Sequence, residues 1–102
     1  MSKITIDLKP DTASKMNSYF KAFGSKEMLF EEFISFHKNK LTREIARMQI
    51  ELDNFEKKYK LASTEFYEKF EKGLMGDESD LLIWAGIYEM QKDSKEKLKR
   101  LK

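Results

Sequence analysis

Few residues in this chain are of a type that does covalent chemistry. His37 is the one histidine, and cysteine is absent. A nucleophile–base pair needs a positioned imidazole with partners, and the residue three before His37 is apolar Ile34. Disulfides and thiolate metal sites are excluded outright. Asp77 and Asp80 suggest a calcium loop, but the place where a bidentate glutamate would close it holds Tyr88. Glu31 and Glu32 read as helix surface rather than as an acid–base pair. No glycine-rich phosphate loop occurs. The sequence therefore predicts no enzyme, no metal and no cofactor.

What remains is binding chemistry, and the charge shows where to look. The 102 residues carry a net charge of only +2, but it is unevenly spread. Residues 1–26 hold five lysines against Asp7 and Asp11. Residues 61–90 hold Lys69 and Lys72 against seven carboxylates, Glu65, Glu68, Glu71, Asp77, Glu78, Asp80 and Glu89. Lys92 to Lys102 is basic again and reads as a solvated tail. A basic piece followed by an acidic one offers two surfaces to different partners; the bland alternative is a pair of solvated helix faces.

The elements that must position these residues are mostly helical. Lys3-Ile4-Thr5-Ile6-Asp7-Leu8-Lys9 alternates with period two and predicts a half-buried strand, ended by Pro10. No second strand follows, so it must pair with a strand from another copy, most simply across a two-fold axis. Asp11 or Thr12 is expected to cap a helix that runs to Phe23 and stops at Gly24. Ser25 caps the next, with Glu27 in its first turn and Leu29, Phe30, Phe33, Ile34 and Phe36 on a broad apolar face. Leu41, Ile45, Met48, Leu52, Phe55 and Tyr59 then step by four and three, a coiled-coil-like seam. Lys38 interrupts the seam before Leu41; we read the helix as continuous from about residue 26 to about residue 60, with a bend near Lys38 to Lys40 as the alternative. Ser63 or Thr64 caps a short helix, Gly73 to Asp80 makes a loop, and Ser79 or Asp80 caps a last helix. No stretch is apolar enough to span a membrane, and Met1 to Pro10 lacks the features of a signal peptide, so a cytoplasmic setting is expected.

A strand, a short helix, the Gly24-Ser25 break, a second helix and an implied dimer resemble the ribbon-helix-helix family of DNA-binding repressors, over residues 3–37. The resemblance implies a mostly α fold with one strand per subunit, paired into a ribbon whose polar side enters the major groove. It places Lys3, Thr5, Asp7 and Lys9 on or beside the DNA-reading face, and Ser25 and Lys26 at a backbone phosphate. It assigns Ile4, Ile6, Leu8, Phe33 and Phe36 to the dimer core. Asp7 departs from what a polyanion favours, and a strand that only dimerises is the simpler alternative.

Residues 61–90 are acidic and aromatic, and look like the toxin-neutralising tail of ribbon-helix-helix antitoxins. That resemblance implies operator DNA, a cognate protein toxin (a ribonuclease) and a homodimer or higher even oligomer as partners. Phe66, Tyr67, Phe70, Trp84 and Tyr88 would be the anchors, with Asp77 and Asp80 among the charges that meet a basic surface. The competing reading folds Phe66, Phe70, Ile83, Trp84 and Ile87 back onto the 41–59 seam as a helical hairpin. The expected organisation is thus 1–37 for dimerisation and DNA, 38–60 for the long helix, and 61–102 for a partner, in an antitoxin and autorepressor. The alternative is an oligomeric helical adaptor that never touches DNA.

Overall fold

The computed structural model of the chain describes every residue, Met1–Lys102. Four helices follow in order: α1 Pro10–Phe23, α2 Lys26–Tyr59, α3 Ser63–Glu71 and α4 Ser79–Leu101. There is no strand, which overturns the expected ribbon-helix-helix architecture. Residues 1–9 carry the alternation but no ladder: Ile4, Ile6 and Leu8 are exposed, and no second extended segment pairs with them. Period-two patterning makes a segment able to join a sheet; without a partner its backbone groups bond to water instead.

The chain divides into two compact units, Met1–Ser35 and Phe36–Lys102, and α2 contributes to both. In the first unit, Pro10 opens α1, because a proline at the first helical position has no amide to leave unsatisfied. The Asp11 and Thr12 side chains are therefore not the caps. Asp11 instead pairs with Lys15 one turn on. The helix ends where Gly24 takes φ 87° and its N–H donates to the Phe20 carbonyl. Ser25 then starts α2 as expected, its Oγ accepting the Met28 N–H at 3.3 Å. Phe20 of α1 meets Phe30 of α2 at 5.9 Å between ring centroids, and Lys26 lies over the Phe20 ring. No residue of this unit is buried.

The second unit has a core. The long helix runs through Lys38 to Lys40 without a break. Leu52 from its seam is buried together with Phe66, Leu81, Trp84, Ala85 and Ile87, and Met48, Phe55 and Tyr59 pack around them. The fold-back reading of residues 61–90 is thus the one the chain adopts. Helix α2 ends with Lys60 at φ 52° and the Leu61 N–H reaching back to the Glu56 carbonyl, a tight helix stop that commonly uses glycine. Helix α3 ends the same way at Gly73, φ 75°, with the Leu74 N–H on the Lys69 carbonyl.

Polar groups fix the register of this body. The Trp84 indole N–H donates to Ser63 Oγ at 2.9 Å, deep in the core. Ser63 is thus not the cap of α3 but its first residue, and Glu56 of α2 accepts the Ser63 N–H at 2.9 Å. Gln91 of α4, also buried, donates to the Ile45 carbonyl and to Gln49 Oε1 of α2. A slip of α4 by one turn would leave that amide unpaired in the interior, which costs about 1–3 kcal/mol.

Candidate functional site

The acidic, aromatic stretch of α3 and α4 is divided by burial. Phe66 and Trp84 are fully enclosed, 0% exposed, and stack almost parallel at 3.8 Å between centroids. Phe55 and Tyr59 of α2 each stack on Trp84, with 5.6 Å between ring centroids. Phe66 and Trp84 therefore cannot serve as partner-binding anchors, because a side chain that fills the interior has no surface to offer. The correction follows from helical spacing: the two residues occupy the inward stripe of their helices.

What faces outward is different. Tyr67, Phe70 and Tyr88 are half-buried at the rim of the core. Tyr67 lies 4.6 Å from Tyr88 and 6.5 Å from Phe70, and its hydroxyl donates to the Glu89 carboxylate. The Glu89 hydrogen bond, partial burial and nearby Glu71 all hold the Tyr67 phenol well above the usual tyrosine range. Glu65, Glu68 and Glu71 are exposed on α3, with Lys72 reaching Glu68 at 3.3 Å. Asp77 is exposed in the α3–α4 loop. The result is a tyrosine pair bordered by carboxylates on one side of the body.

Asp80 has a structural role instead. Its Oδ2 accepts from Lys58 Nζ at 2.6 Å and from the Tyr59 hydroxyl at 3.0 Å, tying the start of α4 to the end of α2. The expected side-chain cap at Ser79 or Asp80 is absent; Glu78 holds that place, with no side-chain bond. The Lys58 bond first, then the Tyr59 bond, lower the Asp80 pKa below its ordinary 3.8. The same bond raises Lys58 above 10.5. A carboxyl depressed by folding gives stability that is present above 3.8 and lost as pH falls through its lower folded-state value. A raised lysine gives stability that is present below 10.5 and lost as pH rises through its folded-state value. Thermal melts of the wild type should therefore fall off below about pH 4. Asp80→Asn should flatten that acid limb and lower the melting temperature at neutral pH. An unchanged acid limb in Asp80→Asn would assign the pH dependence elsewhere.

In the N-terminal unit, Lys3, Thr5, Asp7 and Lys9 are exposed on the segment before α1. Ser25 is engaged as a helix cap, and Lys26 sits 5.3 Å from the centre of the Phe20 ring. Ile4, Ile6, Leu8, Phe33 and Phe36 are all exposed. His37 presents its ring edge-on to Phe36 at 5.4 Å. Sequence reasoning missed Glu56 and Gln91, which organise the body from polar positions within apolar helices. The signal for Gln91 was its place seven residues after Trp84 on the inward stripe. No helix is long and apolar enough to cross a membrane. Comparison with protein-family models, with curated proteins and with solved structures finds no match.

Proposed function

We propose that this chain is a non-enzymatic cytoplasmic antitoxin, which self-associates through its N-terminal unit and neutralises a basic protein partner with its C-terminal body. The observation that carries this reading is the division of labour along α3. Phe66 supplies the core, while Glu65, Glu68, Glu71 and Tyr67 turn outward. The body folds on its own interior and keeps its acidic, tyrosine-bordered side for something else. A toxin that cuts RNA has a basic surface, and carboxylates around a rigid aromatic pair complement it. Self-association is supported by the N-terminal unit, which encloses no residue of its own. A 35-residue unit without an interior is below what a lone apolar core sustains. DNA contact, the other half of an antitoxin's work, would rest on the exposed lysines of residues 1–26 rather than on a ribbon.

One observation favours the second reading, a helical adaptor that leaves DNA alone. Across the whole unit Met1–Ser35, the five lysines face five carboxylates, since Glu27, Glu31 and Glu32 join Asp7 and Asp11. That leaves no net attraction to a polyanion at long range. The two readings separate in one experiment on the purified full-length chain. It is titrated onto the DNA upstream of its own gene at physiological salt, with random competitor, with and without the protein encoded next to it. The antitoxin reading expects a complex with the neighbouring protein, weakened by Glu65→Lys/Glu71→Lys, and a DNA shift that Lys3→Ala/Lys9→Ala weakens. A chain that neither shifts the DNA nor binds its neighbour is the adaptor.

A further inference from the structure

The basic stretch after Met90, expected as a solvated tail, is instead the last part of α4, helical to Leu101. Gln91, Ser94, Leu98 and Leu101 carry the inward stripe of the helix into its final turn. The helix runs antiparallel to α2: Trp84 stacks on Phe55, and Gln91 donates to Ile45 and Gln49, so Leu98 is level with about residue 40 of α2. Two runs of bases far apart in the sequence are thus brought together. Residues 38–43 and 92–102 hold nine lysines and arginines against Asp93 and Glu96, and Asp93 is taken by Lys97 at 3.1 Å. Glu96 stands one turn from both Lys92 and Arg100. The lysines are also sorted by side. Tyr88 faces α3, and from it Lys92, Lys95, Lys99 and Lys102 step by four, three, four and three. On α2, Glu56 meets the start of α3; Gln49 and Thr42 follow at seven-residue intervals, and Lys38 lies one turn further. One flank of the helix pair therefore changes from acidic and aromatic beside α3 to lysine beyond it. Lys92, Lys95, Lys99 and Lys102 are exposed and in no ion pair, whereas Lys58, Lys72 and Lys97 of the same body are each held by a carboxylate. Bases in a last helical turn complement the helix dipole, but Lys92 and Lys95 stand before that turn and Lys38 is inside α2.

We propose that this lysine flank docks the phosphate backbone of duplex DNA without reading its sequence. The charge sets the class of partner. The four lysines of α4 span roughly 15 Å of helix, a length over which a duplex presents about nine phosphates. Other polyanions fit the flank less well. A lipid surface holds an interfacial helix by large apolar side chains as well as by lysines, and α4 exposes no large hydrophobic residue beyond Met90. A single strand is held by aromatic rings on which its bases stack, and residues 38–49 and 91–102 contain none. An RNA duplex is gripped through its 2′-hydroxyls as well as its phosphates. The hydroxyl on this flank, Thr42 Oγ1, already donates to the Lys38 carbonyl at 2.9 Å. What is left is a row of point charges, which suits a phosphate backbone and carries no sequence information. The proposal needs neither the antitoxin reading nor the N-terminal lysines. A contact blind to sequence is taken up by random competitor, so the experiment on the upstream DNA passes or fails on other residues.

The test titrates the full-length chain onto a fluorescent duplex of arbitrary sequence, without competitor, between about 50 mM and about 200 mM salt. Lys95→Gln/Lys99→Gln should weaken binding about tenfold at the low-salt end and lower the slope of log K against log salt by about two, since each neutralised phosphate contributes about 0.9. Lys57→Gln/Lys69→Gln removes the same charge from exposed positions elsewhere on the body and should change affinity less than about twofold. All four lysines are exposed, so both variants should keep the wild-type melt. Equal weakening by the two double variants would reduce the effect to net charge and overturn the proposal. So would the absence of binding at the low-salt end. Tighter binding to a single strand, to an RNA duplex or to phosphatidylserine vesicles than to the DNA duplex would overturn it as well, and would give the flank to that partner.

Discussion

Replacing Trp84 by alanine should abolish the cooperative unfolding transition of the C-terminal body. The indole is fully buried and contacts three other rings, from Phe55, Tyr59 and Phe66, on two different helices. Removing a buried tryptophan costs about 3–5 kcal/mol, and each lost aromatic pair adds about 0.5–1.5 kcal/mol. A body the size of Phe36–Lys102 has a total stability of only about 3–10 kcal/mol. The loss is as large as the margin, so the variant should show residual helix and no sharp melt. Trp84→Phe is the milder variant. It keeps one ring in the stack but loses the bond to Ser63 and leaves a void where the rest of the indole stood, so it should still melt cooperatively at a clearly lower temperature. A wild-type melt in Trp84→Ala would show that the ring stack is not what holds the three helices together.

The second large effect concerns assembly. Ile6 and Phe23 are 58% and 65% exposed, and neither supports the interior of its own unit. Their removal should therefore leave a single copy's helices as they are. If the proposed self-association uses this unit, the two side chains of each copy are buried in it, four in all. At about 1 kcal/mol for each partly buried side chain, Ile6→Lys/Phe23→Lys should weaken association by about 4 kcal/mol, near a thousandfold in Kd. The check is the mass of the full-length protein by light scattering across a dilution series. The wild type should hold a multiple of the chain mass to much lower concentration than the double variant. Identical dilution curves would remove the N-terminal unit from any role in self-association.

The helices were legible because their signals are local. Ser25, Gly24 and the four-three stepping from Leu41 to Tyr59 act within one or two turns, and the structure uses each as expected. The caps that failed did so because tertiary neighbours supply the bond instead. Glu56 serves the start of α3 from seven residues upstream, and Ser63 is drawn into the core by the Trp84 indole. The strand failed for a related reason. Alternation at Ile4, Ile6 and Leu8 states which side is apolar, but a strand exists only when another chain segment completes its hydrogen bonds. Phe66 and Trp84 were ambiguous in the sequence because an aromatic on an acidic helix suits a core and a binding surface equally. Only the position of α2 behind them decides it.

Trp84 is also the chain's one indole, and it sits wholly within the second of the two units. Its fluorescence emission is therefore a private signal: it follows the opening of the C-terminal body and is blind to the N-terminal helix and the segment before it. Backbone ellipticity, by contrast, sums over both. A denaturation series followed by both probes weighs the two halves separately with no label added. Any gap between the two curves measures how loosely the N-terminal part is held when nothing covers it.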